Sequence, residues 1–273
     1  LGPTFDAYYQ LITRFPWLLL PAKEKEWLDE IRVCVEHQYE EYGLKTFATG
    51  AGGAGNYPNQ DVYHILHMEL AHRVFGDDKY ADQVKLFLDF LEATIFPMGG
   101  MIYHGTQNEC FTYHNLDIVM IARYLEYAAS EQARRIIEKT VKYYPLMVEP
   151  SDRVEGYTDP SWKHYQQSVT PNGPDIVAAI TGDKRNKRCA NLALERGKPR
   201  SGMHSVFAAS WWKEMTDEPL ADAYIVFDEN VQAPRARFGP FSFAANARDF
   251  GPGQIGKDTF IGCLYSEDAT RPQ

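Results

Sequence analysis

The chain has 273 residues, 44% hydrophobic and 24% charged, which is enough for a substantial core and unlike a disordered segment. Its formal net charge of −9 leaves no basic footprint for general nucleic-acid binding; a polyanionic partner would have to be met by a local positive cluster. No apolar run approaches the ~18 residues of a membrane span, and Cys34, Cys110, Cys189 and Cys263 form no CxxC pair of the kind that holds structural zinc.

Taken in chain order, most of the first 215 residues read as helices joined by polar loops. The 22–42 stretch carries Trp27, Ile31 and Val35 at helical spacing and ends near Gly43. Val62, Ile65, Leu66, Leu70 and Val74 share one side of a helix over 60–75. Val84, Phe87, Leu88 and Leu91 do the same over 78–96, and a further pair of helices is expected over 116–129 and 130–144. Three helix–turn–helix joints, around Gly76, Ser130 and Gly182, recur at steps of about 54 and 52 residues. That is the length of a helical hairpin with its loops, about 1.5 Å of rise per helical residue. One hairpin cannot bury its apolar face alone, so stacking is expected, either open as a solenoid or closed as an (α/α) toroid. The expected fold class is therefore mainly α, an incomplete (α/α) toroid of helical hairpins spanning 1–215. Short β-prone runs at 223–227, 237–246 and 259–265 predict an extension, or the start of a further domain, over 216–273.

Three unusual loops fall where an outer helix gives way to an inner one. The first, 49–60, is glycine-rich but lacks GxxxxGK[ST], which excludes a P-loop; it delivers Asn56, Tyr57, Asn59 and Gln60. The second, 99–115, packs Tyr103, His104, Gln107, Asn108, Glu109, Tyr113, His114 and Asn115 ahead of an apolar run. With a helix beginning near Gln107, Gln107 and His114 lie two turns apart on one face, and Asn108 and Asn115 on the neighbouring stripe. The third, 152–165, carries Arg153, Tyr157, Lys163, His164 and Tyr165.

A set of His, Tyr, amide and Arg side chains suits β-elimination across the glycosidic bond of a uronic acid. Donors on the carboxylate stabilise the charge that develops as the C5 proton leaves. A His or an ionised Tyr takes that proton, and a Tyr returns one to the leaving oxygen. No metal or other cofactor is needed. His64 and His67 are spaced i, i+3 without a completing carboxylate, and HExxH is absent. Each residue also has a plainer reading: His114 as a core histidine, Tyr113 as a packing residue, Glu109 as a helix N-terminal acid, Arg153 as a surface ion-pair partner.

The chain resembles the (α/α)-toroid polysaccharide lyases of the alginate, glucuronan, heparin and chondroitin type over residues 20–215. The likeness rests on Asn59-Gln60 entering one helix, Gln107-Asn108-Glu109…Tyr113-His114 entering the next, and the Trp162-Lys163-His164-Tyr165 loop. It is one of architecture and residue kinds. It implies an acidic polysaccharide as partner, with Gln107, Asn108 or Glu109 neutralising the carboxylate. It further implies His114 as base or base partner, Tyr165 as acid or acid/base with Tyr157 competing, and Arg153 as the assisting cation. Tyr113, Asn59, Gln60, Lys163 and His164 would line the substrate. Asn108 is followed by Glu109 where that group most often has His, so the neutraliser stays open among the three. A polymeric substrate implies a secreted or periplasmic protein. Two other functions fit the same scaffold: a glycoside hydrolase using Glu109 with Asp159 or Asp61, and a non-catalytic glycan-binding protein.

Overall fold

The computed structural model describes residues 2–47, 55, 57–103, 108–109, 111–148, 169–200, 202–229, 232–246 and 261–266. The protein is mainly helical, with a small antiparallel sheet near its C-terminal end. Ten α-helices are described: α1 (Gly2–Arg14), α2 (Pro21–Gln38), α3 (Pro58–Phe75), α4 (Asp78–Ala93), α5 (Phe111–Leu125), α6 (Glu131–Lys139), α7 (Tyr143–Met147), α8 (Asn172–Thr181), α9 (Lys184–Glu195) and α10 (Gly202–Ala208). The first of these falls outside the helices expected from periodicity. A π-helical turn, Tyr39–Leu44, extends α2.

Burial divides the helices into two kinds. In α3 every residue from His64 to Ala71 is buried, and in α5 every residue from Asp117 to Ala122, so these helices are enclosed on all sides. By contrast α4 buries a stripe of Tyr80, Val84, Phe87, Leu88 and Leu91, and α6 buries only Ala133, Ile136 and Ile137. The interior helices pack in the sequence α3–α5–α8, with α1 against α3 and α10 against α5 and α8; the striped helices pack outside them.

The three joints found in the sequence are the turns from an interior helix to the next outer one, and each is capped. Gly76 and Gly182 end α3 and α8 in the left-handed conformation, φ +72° and +76°, which costs glycine nothing. Side-chain oxygens of Asp77, Ser130 and Asp183 then accept from the first backbone N–H groups of α4, α6 and α9. Because every outer helix runs back, each interior helix begins at the same end of the molecule.

The sheet has order β3-β4-β5-β6, all neighbours antiparallel: β3 (Ala223–Asp228), β4 (Ala233–Phe238), β5 (Phe241–Asn246) and β6 (Ile261–Ser266). The 237–246 run, read as one strand in sequence, is two, because the chain reverses at Gly239 with φ +57°. One sheet face lies on the helical body, where the Tyr224 hydroxyl donates to the Leu146 carbonyl and the buried Arg235–Asp228 pair closes at 2.8 Å. A minimal ribbon, β1 (Ile102–Tyr103) with β2 (Asn108–Glu109), precedes α5. No helix among the described residues is long and apolar enough to cross a membrane.

Candidate functional site

The interior helices bring their polar residues together at the end where α3, α5, α8 and α10 begin. The α5 start corrects one expectation. The helix opens at Phe111, and Asn108 and Glu109 belong to β2, paired with Tyr103 and Ile102. Asn108 therefore does not share a helical face with Asn115, and Gln107 lies outside the described residues. The ribbon ends the register that periodicity alone extended backwards.

His114 sits in the first turns of α5 and is 1% exposed. The Tyr143 ring lies 3.9 Å from its own, centre to centre, and the Tyr144 ring 5.3 Å. Neither ring nitrogen has a hydrogen-bond partner among the described residues. Burial alone pushes its pKa down to about 3, so the imidazole is neutral throughout the ordinary pH range. A base this weak takes up no proton near neutral pH. The side chain lies inside, as the plainer reading of His114 as a core histidine has it.

One turn along α5, Asp117 is fully enclosed, and neither carboxyl oxygen has a partner among the described residues. Its pKa is raised well above the carboxylate range, first by burial and then by the charge of Asp61. Asp61, in the first turn of α3, accepts from the Tyr42 hydroxyl at 2.7 Å and from the Gly55 backbone N–H at 3.0 Å. Burial outweighs these bonds and lifts its pKa to about 6. The π-helical turn supplies the Tyr42 bond. It aims Tyr42 at Asp61 and lays Gly43 so close to Gln83 that any added Cβ would collide with its amide. Gln83 in turn meets His64 Nε2 at 2.5 Å, and His67 Nδ1 meets Gln38 Oε1 at 2.7 Å. Both imidazoles are driven down by burial, to about 4 and about 3.

On the other side of α5, Asn115 joins α8. Its Oδ1 accepts from the Gly173 backbone N–H at 3.1 Å and from the Tyr144 hydroxyl at 3.2 Å. Asn172 joins α10 through Ser205 at 3.0 Å. Behind them Asp175 takes Lys187 at 2.7 Å and Arg200 at 2.5 Å, a buried acid between two cations that ties α8 to α9 and to the chain entering α10.

Asn59 is half-buried in the first turn of α3 with its Oδ1 sealed and unpartnered among the described residues, and Gln60 is exposed. Tyr113 is half-buried. Gln107, Arg153, Tyr157, Lys163, His164 and Tyr165 lie outside the described residues, as does Asp159; Asn108 and Glu109 are placed by their backbone alone. Among the described residues no group of three or more His, Cys, Asp or Glu side chains is arranged to hold a metal ion.

No family model, curated protein or solved structure matches the chain.

Sequence reasoning placed Asn115 in the polar segment without giving it a role, and passed over Asp117, Asn172 and Asp175 as site components. Asp117 did leave a signal: it is the lone acid in the largely apolar 116–125 run. Asn172 and Asp175 left none, because their neighbours belong to helices distant in sequence. An apolar groove of about 360 Å³ between α1 and α2, lined by Tyr8, Leu11, Trp27 and Ile31, contains none of these groups.

Proposed function

We propose that the chain is a metal-independent lyase that cleaves a uronic-acid polysaccharide, of the alginate or glucuronan type, by β-elimination. Its site lies at the end where α3, α5, α8 and α10 begin. The observation that supports the reading is the meeting of the first turns of α5 and α8 at Asn115. In a chain of net charge −9, helix N-termini supply local positive potential of the kind a carboxylate needs. The parallel interior helices with outer helices returning between them suit an (α/α) toroid, with the loops at this end as the rim.

In this reading the C5 proton leaves to a base, its bonding electrons form the C4–C5 double bond, the C4–O bond breaks, and the leaving oxygen takes a proton. Tyr165 or Tyr157 of the third rim touches the sugar and moves the protons, and Arg153 assists. His114, sealed behind Tyr143, is the base partner rather than the group in contact with substrate. A polymer of this kind places the protein outside the cell or in the periplasm.

Incubation with alginate and glucuronan should give ultraviolet absorbance from the new C4–C5 double bond, and Tyr165→Phe or His114→Ala should abolish it. New reducing ends without that absorbance would replace the reading with a glycoside hydrolase. Absence of any product across a panel of polyuronates would leave a glycan-binding protein.

A further inference from the structure

We propose that Asn115 grips the substrate's carboxylate, through an amide N–H whose direction Gly173 and Tyr144 have already fixed. This deepens the elimination reading and rests on it. Asn115 Oδ1 faces two donors, the Gly173 backbone N–H and the Tyr144 hydroxyl. A backbone N–H can only donate. The Tyr144 hydroxyl, fully buried, has its pKa raised far above the ordinary value, so it stays protonated and keeps its proton to give. Two donors converging on one atom identify that atom as the oxygen. A flipped amide would set N–H against N–H.

The amide nitrogen consequently points the other way. Asn115 is half-buried, and Nδ2 is neither sealed from solvent nor taken by any acceptor among the described residues. The cradle behind it is built for this pose. A Cβ on residue 173 would collide with both the Tyr144 hydroxyl and Asn115 Oδ1, so only glycine lets α8 approach. Asn115 sits where the first turns of α5 and α8 meet, and the positive ends of the two helix dipoles favour an anion there. A pre-aimed donor needs no reorganisation as charge builds on the carboxylate during loss of the C5 proton. The residue that neutralises the carboxylate is thus placed on α5, instead of at Gln107, Asn108 or Glu109.

Asn115→Asp tests this. The variant keeps side-chain size and both bonds accepted at Oδ1, and turns the outward donor into an oxygen sharing a negative charge, so it both removes the grip and repels the carboxylate. The substrates are a polyuronate and the same polymer methyl-esterified, which carries no charge at that carboxyl. The expected result is a kcat lower by about 10²–10³ on the acid polymer. The loss on the ester should be under about tenfold, and the melting temperature unchanged. Cleavage of the acid polymer within a few-fold of the unsubstituted protein overturns the assignment. So does an equal loss on both polymers accompanied by a fall in melting temperature. If the unsubstituted protein forms no unsaturated product, the elimination reading fails, and calorimetric binding of a glucuronate tetramer decides Asn115 separately. Binding at least tenfold weaker in Asn115→Asp supports the grip; equal binding, or none by either protein, refutes it.

Discussion

Replacing His114 with leucine should change how the stability of the protein depends on pH, by an amount the structure sets. In the folded chain the imidazole is sealed against Tyr143 and Tyr144, and burial lowers its pKa from 6.5 to about 3. The unfolded chain therefore binds a proton that the folded chain refuses. The stabilisation is complete above pH 6.5 and drains away as pH falls towards 3. Between pH 8 and pH 5 this residue alone should cost about 2 kcal/mol, at about 1.36 kcal/mol for each pH unit below 6.5. Leucine is close in size, apolar and suited to the surrounding rings. His64 and His67 titrate in both proteins and cancel in the difference. The assay is urea unfolding of both proteins at half-unit steps from pH 5 to pH 8. The leucine variant should lose about 2 kcal/mol less over that range, its slope smaller by close to one proton. Parallel curves would mean that His114 takes up protons in the folded state, and the sealed-interior argument would fail.

Asp61→Asn should act with the opposite sign. Its folded pKa, raised from 3.8 to about 6, gives stability that is present below pH 3.8 and lost as pH rises through 6. The amide should stabilise the protein by about 3 kcal/mol at pH 8 and by nothing near pH 3.5, seen as crossing melting temperatures. Gly173→Ala should destabilise by about 1–3 kcal/mol through collision with Asn115 and Tyr144. Part of that loss should return in Gly173→Ala/Asn115→Ala, and an additive pair would refute the contact. Asp175→Ala strands Lys187 and Arg200 and should cost about 3–5 kcal/mol by denaturant unfolding. Adding Lys187→Met should recover part of it, and no recovery would mean the lysine finds solvent.

Much of the helical framework was legible in the sequence because helix signals are local. The turns at Gly76, Ser130 and Gly182 announced themselves as a recurring helix–turn–helix layout, and the structure keeps all three. The spacing of Val84, Phe87, Leu88 and Leu91 marked the buried stripe of α4 for the same reason. Boundaries suffered where a local rule was extrapolated. The polar run before α5 was continued as helix back to Gln107, whereas two residues of it pair as β2; the β-prone 237–246 run concealed a reversal at Gly239.

The sequence by itself determined a mainly helical chain with helix–turn–helix joints and an acidic overall charge. Spacing, capping and composition act over a few residues and need no partner. Only the tertiary structure decided what the polar residues became. His114 reads the same in sequence whether it lines a cleft or lies beneath Tyr143. Asp61 becomes a high-pKa acid only because the helices packed around α3 bury it more strongly than its hydrogen bonds from Tyr42 and Gly55 stabilise its charge. The direction of the Asn115 amide is set by a glycine 58 residues away. Burial, pKa and donor direction depend on neighbours from other helices, and the local pattern of one helix does not contain them.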